Sequence, residues 1–206
     1  MNPRVVGALA ALGVLVVGGI GFAYSRRMIS SPFAPPPLVS GESVLLLGDS
    51  LGVGMSQHLA NALAPAGVHL DAEAHVGWNA KQVRKAYEAD ASMVGDAVVI
   101  SLGSNDAAMM DPSVEAEDVA ALVATARARG AKRVVWIVAP NFARSPPPPP
   151  ATSAKQAAFR ALMEAQTVEV MEPSDDVVAM IGGDGIHLPP NGYAAFGQQV
   201  AAWLLS

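Results

Sequence analysis

The chain has 206 residues, of which 51% are hydrophobic and 15% are charged, and it carries a formal net charge of −5. It contains no cysteine, which excludes disulfides, a thiolate nucleophile and cysteine-ligated zinc. Residues 1–40 hold three of the 13 basic residues and no acidic residue, so the remainder carries 10 basic and 18 acidic side chains. Such a balance argues against nucleic acid as a partner, because nucleic-acid binding depends on clustered Lys and Arg.

The N-terminal segment is the most apolar part of the chain. Residues 5–24 form a run of 20 residues without a charge, flanked by Arg4 on one side and by Arg26 and Arg27 on the other. At about 1.5 Å per residue, a helix of this length spans the hydrocarbon core of a bilayer, which is about 30 Å thick. We therefore predict a transmembrane anchor over residues 1–27.

Two other interpretations of this segment remain open. Ala23 and Ser25 are the small residues expected at a signal-peptidase site, so cleavage there would release a secreted domain. The segment could also be a buried helix of a soluble domain. The positive charges on its two sides balance and do not decide the orientation. The short N-terminal flank favours a globular domain on the outer side of the cytoplasmic membrane.

A tether and a single domain follow the anchor. Residues 28–43 are rich in proline and serine, a composition that favours an extended tether and prevents a helix. Residues 44–206 are long enough for one hydrophobic core and too short for two ordinary domains.

Strand and helix patterns alternate along this domain. Residues 44–47, 97–102 and 134–138 are rich in consecutive apolar residues, as expected for parallel strands covered on both faces. Residues 68–76 alternate between apolar and polar side chains, which predicts a strand at an edge of the sheet. The remaining amphipathic or apolar runs cover 51–64, 80–91, 114–128, 154–165, 168–171 and 193–205. The alternation predicts a three-layer α/β/α sandwich around a mostly parallel sheet, with the order of the strands left open.

Polar residues follow the predicted strands at the edge where open α/β sheets bind ligands. They are GDSL at 48–51, GWN at 77–79, GSND at 103–106, and GGDGIH at 182–187 before the final helix. Ser50 is thereby predicted to lie at a helix N-terminus, among backbone N–H groups that favour a developing anion. Each fragment alone is also compatible with a helix cap or a turn.

In this order, the four fragments resemble the SGNH hydrolases, also called the GDSL esterase/lipase family. Residues 48–51 look like the first block of that family, Gly77 its second, residues 103–106 its third and residues 184–187 its fifth. The resemblance covers most of residues 44–206 and implies a flavodoxin-like sheet and a serine hydrolase of esters. We expect no cofactor, and no metal, because no cluster of His and carboxylates has the spacing of a metal site.

Chemistry assigns a role to each of these positions. A serine hydroxyl is a poor nucleophile unless a base accepts its proton, and His187 can act as that base for Ser50. Asp184 would hold the other ring nitrogen of His187 and stabilise the imidazolium. The resemblance implies an oxyanion hole formed by the backbone N–H groups of Ser50 and Gly77 and the side-chain amide of Asn105.

Neighbouring residues are less specific. We expect Asp49 and Asp106 to hold their loops by accepting bonds from backbone N–H groups. Trp78 either lines the substrate-binding pocket or packs against the domain. Residues 109–110 are both methionine and form either an apolar lip of the cleft or the start of the next helix. His75 is a weaker alternative to the predicted base.

The sequence thus predicts a membrane-tethered, extracytoplasmic serine esterase that works through an acyl-enzyme. O-acetylated carbohydrate of the cell envelope, or exported polysaccharide, is the substrate we hypothesise. The alternatives are a lipase or thioesterase acting on membrane-derived acyl esters, and a non-catalytic binding module of the same shape.

Overall fold

The computed structural model describes residues 35–109, 112–143, 150–166 and 168–206. The predicted anchor and its alternative interpretations fall outside these residues. Within the described part of the chain, no helix combines the length and the apolar character needed to cross a bilayer. The folded unit runs from Pro35 to Ser206.

The described residues contain one sheet of five parallel strands in the order β2-β1-β3-β4-β5. The strands are β1 (Ser43–Gly48), β2 (His69–Ala74), β3 (Ala97–Ser101), β4 (Arg133–Ile137) and β5 (Glu169–Met171). This is the flavodoxin strand order. The predicted parallel sheet and the edge position of β2 are confirmed.

The described helices flank this sheet on both faces. They are α1 (Ser50–Leu63), α2 (Ala80–Ala89), α3 (Ser104–Met109), α4 (Pro112–Ala128), α5 (Pro150–Glu164), α6 (Asp175–Ala179) and α7 (Pro190–Leu204). The sequence pattern missed α3 and α6 because helices of five or six residues are too short for an apolar period. It also placed the start of α5 four residues too late.

Side chains of β1 alternate between two core layers. Val44 and Leu46 pack with α1 and α7, whereas Leu45 and Leu47 pack with α2, α4 and α5. Both faces of the strand are therefore covered, which explains why its sequence is apolar at consecutive positions.

The register brings the ends of three strands to one level. Gly48 pairs with Ala74 of β2 and with Ser101 of β3. The ladders continue one residue further, since the amide of His75 donates to the carbonyl of Gly48 at 3.0 Å and the amide of Asp49 to that of Ser101 at 3.1 Å. Between β1 and β3 the chain connections run in opposite directions, which creates the switch point where ligands bind in this class of sheet.

The last residues of the predicted tether, 28–43, belong to the folded unit. Leu38 is buried among the core residues of the α1 and α7 layer, and its amide donates to the carbonyl of Leu204 at 3.0 Å. The amide of Gly41 donates to the carbonyl of Gly67 at 2.9 Å. The domain thus begins before Ser43.

Helices α1 and α7 approach each other closely at two glycines. A Cβ atom added at Gly197 of α7 would lie 2.8 Å from the backbone nitrogen of Leu59 in α1. A Cβ atom added at Gly54 of α1 would lie 2.4 Å from the ring of Tyr193 in α7. Glycine therefore sets the separation of these helices.

Gly197→Ala is expected to destabilise the domain. Alanine is favoured over glycine in a helix by about 1 kcal/mol, but overpacking against backbone that cannot rotate away costs about 1–3 kcal/mol. The difference between the two effects is a net loss of about 1 kcal/mol in the free energy of unfolding, measured by urea denaturation. Gln198→Ala, at an exposed position of the same helix, is the control and should change it little. Equal urea midpoints for the two variants would contradict this packing argument.

Candidate active site

Ser50 is the first residue of α1, and only Asp49 separates it from the end of β1. Asp49 caps the helix, because its side chain accepts a hydrogen bond of 2.9 Å from the amide of Leu51. The first-turn N–H groups of a helix lack partners within the helix. The hydroxyl of Ser50 therefore lies where the helix terminus can stabilise negative charge.

Three residues from distant parts of the chain form a hydrogen-bonded series. The Oγ atom of Ser50 lies 2.9 Å from Nε2 of His187, across 137 positions of sequence. Nδ1 of His187 lies 2.7 Å from Oδ2 of Asp184. The structure thus brings together the predicted nucleophile, base and orienting carboxylate in hydrogen-bonding order.

The short loop before α7 fixes Asp184. Its Oδ1 atom accepts hydrogen bonds from the amides of Ile186 at 2.9 Å and His187 at 3.0 Å. The pKa of Asp184 is lowered to about 2 by these hydrogen bonds. The bond from the Ile186 amide has the largest effect, and the bond from the His187 ring also contributes. The carboxylate is therefore ionised at neutral pH and can hold the imidazole in the tautomer that leaves Nε2 free to accept a proton.

The loop after β2 presents the amide of Gly77. Residues 75–78 form a turn closed by a hydrogen bond of 3.2 Å from the amide of Trp78 to the carbonyl of His75. Gly77 is the third residue of this turn and has φ of +80°, the conformation that a type II turn requires there and that glycine adopts without strain. Among the described residues no acceptor takes the Gly77 amide hydrogen.

Asn105 follows β3, next to the end of β1. Its Nδ2 atom donates to the carbonyl of Trp78 at 2.9 Å. An amide group carries two N–H donors, so this bond orients the side chain and leaves the second donor available. Ser50, Gly77 and Asn105 thus follow three neighbouring strands that end at one level.

Asp49 and Asp106 both accept backbone hydrogen bonds, as expected of residues that hold loops. Asp49 is fully buried, and this burial raises its pKa to about 7 against the opposing effect of the Leu51 amide. Asp106 is also buried, and its Oδ1 atom accepts a bond of 2.8 Å from the amide of Ala80 at the start of α2.

Trp78 is half-buried, and it has a stacking partner that the sequence did not reveal. The ring of His75 stacks on it at 3.8 Å between centroids and 23° between planes. Nε2 of His75 in turn lies 2.7 Å from Oε1 of Glu73. Trp78 also packs against the core layer of α2 and α4, which is the packing role that we considered, and its place in the substrate-binding pocket stays a prediction. Nothing in these contacts supports His75 as an alternative base, because its described partners are Glu73 and Trp78.

Two further predictions concern the methionines at positions 109–110 and the binding of a metal ion. Met110 lies outside the described residues, and for Met109 only the backbone is described, as the last residue of α3. In the part of the chain that the structure covers, no group of three or more His, Asp and Glu side chains is placed to hold a metal ion.

The family comparison agrees with this geometry. The GDSL-like Lipase/Acylhydrolase family matches residues 46–195. The chain therefore belongs to that family of ester hydrolases. No curated protein matches this sequence.

Solved structures share the fold at low sequence identity. The α/β hydrolase LAE5 from the metagenome of Lake Arreo, Spain, is 15% identical, with 82% of this chain and 98% of that chain covered and a TM-score of 0.64. The acetyl xylan esterase AlAXEase is 15% identical over 79% and 99% of the two chains, with a TM-score of 0.64. A catalytic mutant of Axe2, an acetylxylan esterase from Geobacillus stearothermophilus, is 14% identical over 82% and 96%, with a TM-score of 0.63.

Asn105→Ala is expected to lower kcat for p-nitrophenyl acetate by about 10²- to 10³-fold, the usual effect of losing one oxyanion donor. KM should change little, because the donor acts on charge that develops only in the transition state. Steady-state kinetics measures both parameters. Asn61→Ala, on the exposed surface of α1, is the matched control and should keep wild-type kinetics. A rise in KM with unchanged kcat in Asn105→Ala would contradict the predicted role of Asn105.

Proposed function

We propose that this hydrolase is a serine O-acetylesterase of carbohydrate. Ser50 acts as the nucleophile, His187 as the general base and Asp184 as the orienting carboxylate. The observation that carries the proposal is the hydrogen-bonded series from Ser50 Oγ through the His187 ring to Asp184, at 2.9 and 2.7 Å.

The reaction follows from these contacts. His187 Nε2 accepts the hydroxyl proton as Ser50 Oγ attacks the ester carbonyl, and Asp184 stabilises the imidazolium that forms. The N–H groups of Ser50, Gly77 and the Asn105 side chain donate to the tetrahedral oxyanion. His187 then protonates the departing alcohol, and water activated by the same ring hydrolyses the acyl-enzyme.

The openness of the site supports a short acyl group and a large, polar leaving group. The side chains of His187 and Asp184 are 45% and 52% exposed, so neither lies in a closed apolar tunnel of the kind that long acyl chains require. Val76, beside Gly77, is 74% exposed. A solvent-exposed site of this form suits an acetyl group carried on a saccharide.

The loop after β2 supplies groups that suit a sugar. His75 stacks on Trp78 and is bonded to Glu73, so that an aromatic surface and a polar pair lie beside Gly77. Sugar rings bind to aromatic faces and to charged hydrogen-bonding groups. Two of the similar structures are described as acetylxylan esterases, which supports the same class of substrate at low identity.

The proposal includes a location. Residues 5–24 would anchor the chain in the cytoplasmic membrane, with the esterase outside and facing acetylated cell-envelope or exported polysaccharide. The uncharged run of 20 residues is the support for it. Carbonate extraction of membranes should leave the full chain in the pellet, whereas release of a shortened chain would identify a cleaved signal peptide.

The substrate is tested with a matched pair of histidines on β2 and its following loop. His75 is bonded to Glu73 beside the site, and His69 is bonded to Asp71 at 3.2 Å at the opposite end of the strand. We expect His75→Ala to raise KM for an acetylated xylan oligosaccharide by about tenfold, the effect of losing one strong hydrogen bond. The same change should leave p-nitrophenyl acetate kinetics nearly unaltered, and His69→Ala should alter neither.

The chain-length profile completes this test. For the full chain, kcat/KM for acetate release should be higher than kcat/KM for the hydrolysis of palmitoyl esters. A strong preference for palmitoyl esters would contradict the acetylesterase and favour the lipase or thioesterase alternative. Equal effects of His75→Ala on the glycan and on p-nitrophenyl acetate would contradict the sugar-binding role of His75.

A further inference from the structure

Two carboxyl groups are buried behind the loops that carry Trp78 and Asn105. Asp106, which follows Asn105 in α3, is 1% exposed, and Glu115, in the first turn of α4, is 0% exposed. The Oδ2 atom of Asp106 and both carboxyl oxygens of Glu115 have no hydrogen-bond donor among the described residues when both groups are ionised.

Such an arrangement is unfavourable unless a proton is present. A buried carboxylate without donors loses its hydration without replacement, and two adjacent carboxylates also repel each other. An ionised carboxylate only accepts hydrogen bonds, but a protonated one donates. One proton between Asp106 and Glu115 supplies the missing donor and removes one of the two charges.

The proton belongs on Glu115. Burial, together with the adjacent Asp106 carboxylate, raises the pKa of Glu115 to about 8. Burial also raises the pKa of Asp106, but there the hydrogen bonds from the Ala80 amide and from Glu115 act in the opposite direction. The Ala80 amide thus donates a hydrogen bond to Asp106 and favours its ionised form. Among the described residues, no group donates a hydrogen bond to Glu115.

We propose that Glu115 is a positioning residue of the esterase, which donates its carboxyl proton to Asp106 so that Asp106 can hold the loops after β2 and β3 in register. The proposal concerns the oxyanion side of the site and holds for any ester substrate, including one that is not a carbohydrate.

The contacts that transmit this effect form a closed ring. Oδ1 of Asp106 accepts the amide of Ala80 at 2.8 Å, and Ala80 lies two residues after Trp78. The carbonyl of Trp78 accepts Nδ2 of Asn105 at 2.9 Å, and Asn105 directly precedes Asp106. Movement of the Asp106 carboxylate therefore displaces the amide that we assign to the oxyanion hole.

Other charged groups face this pair. Asp49 at the cap of α1 repels Asp106, and Asp118, one turn further along α4, repels Glu115. Arg84 of α2 offsets the charge of Asp118 through a contact of 2.6 Å. Lys81 of α2 favours the ionised form of Glu115 but is a lesser influence than its burial. The surrounding charges thus leave Glu115 protonated at neutral pH.

The consequence is a loss of activity at alkaline pH. When Glu115 ionises, two buried like charges repel, and the ring of contacts around Asn105 loosens. Oxyanion donors act on the transition state, so kcat falls while KM changes little.

Glu115→Gln tests the proposal, because glutamine keeps a donor at every pH and carries no charge. With the full chain and p-nitrophenyl acetate, corrected for spontaneous hydrolysis, wild-type kcat should fall above pH ~8. In Glu115→Gln that fall should be reduced or moved to higher pH, with kcat at pH 6 within about threefold of wild type. Glu117→Gln, at an exposed position of the same helix, should keep the wild-type profile. An unchanged alkaline limb in Glu115→Gln, or a large loss of kcat at every pH, would overturn the proposal.

A second measurement needs no substrate and therefore stands even if the proposed function fails. Folded Glu115 holds its proton to about pH 8, above its ordinary pKa of 4.5. Between these values the folded state binds more protons than the unfolded chain, so its stability contribution falls as the pH rises. The Tm difference between Glu115→Gln and wild type should therefore shift in favour of the variant as the pH rises from 5 to 8. The Tm difference between Glu117→Gln and wild type should stay constant over this range. A Tm difference that is independent of pH would show that Glu115 is not protonated when buried.

Discussion

The contact between α1 and α7 determines the geometry of the predicted catalytic groups. Ser50 begins α1 and His187 lies in the loop that leads into α7. Because Gly197 allows α7 to reach the backbone of α1 near Leu59, the two helix starts are held at a fixed separation. The hydrogen bond of 2.9 Å between Ser50 and His187 then joins residues 137 positions apart.

The other half of the site depends on the parallel register. Strands β1, β2 and β3 end at one level, so the loops that follow them meet beside Ser50. The hydrogen bonds from Asn105 to Trp78 and from Ala80 to Asp106 join two of these loops.

Carboxyl groups around the site differ in charge because their surroundings differ. Asp184 is exposed and receives several donors, which lower its pKa, whereas Asp49 and Glu115 are buried and have raised pKa values.

Sequence patterns predicted most of the framework for identifiable reasons. Strands buried on both faces are apolar at consecutive positions, and β2, at the sheet edge, alternates. The residues after the strands could be proposed as a site because their order matched a known family. Strand order could not be predicted, since it depends on long-range pairing that leaves no local pattern. The helix α3 is too short for a period, and Leu38 lies in a proline-rich segment that resembles a linker.

Sequence reasoning missed the residues whose role depends on side-chain contacts that form only in the folded domain. Glu115 lies in the first turn of a helix, where an acidic residue usually stabilises the helix dipole in solvent. Only its burial beside Asp106 distinguishes it. The stacking of His75 on Trp78 likewise follows from the turn at Gly77, which brings residues three positions apart face to face. Alternation along residues 68–76 indicated a polar strand face but not this pairing.

Covalent labelling tests the central claim most directly. Diethyl p-nitrophenyl phosphate should react with the full chain to release one equivalent of p-nitrophenol and leave a phosphoryl group on the peptide that contains Ser50, as read by mass spectrometry. His187→Ala should lose this labelling while it remains folded, because the hydroxyl then lacks its base. Labelling at another residue, or undiminished labelling in His187→Ala, would contradict the account of Ser50 as a nucleophile activated by His187.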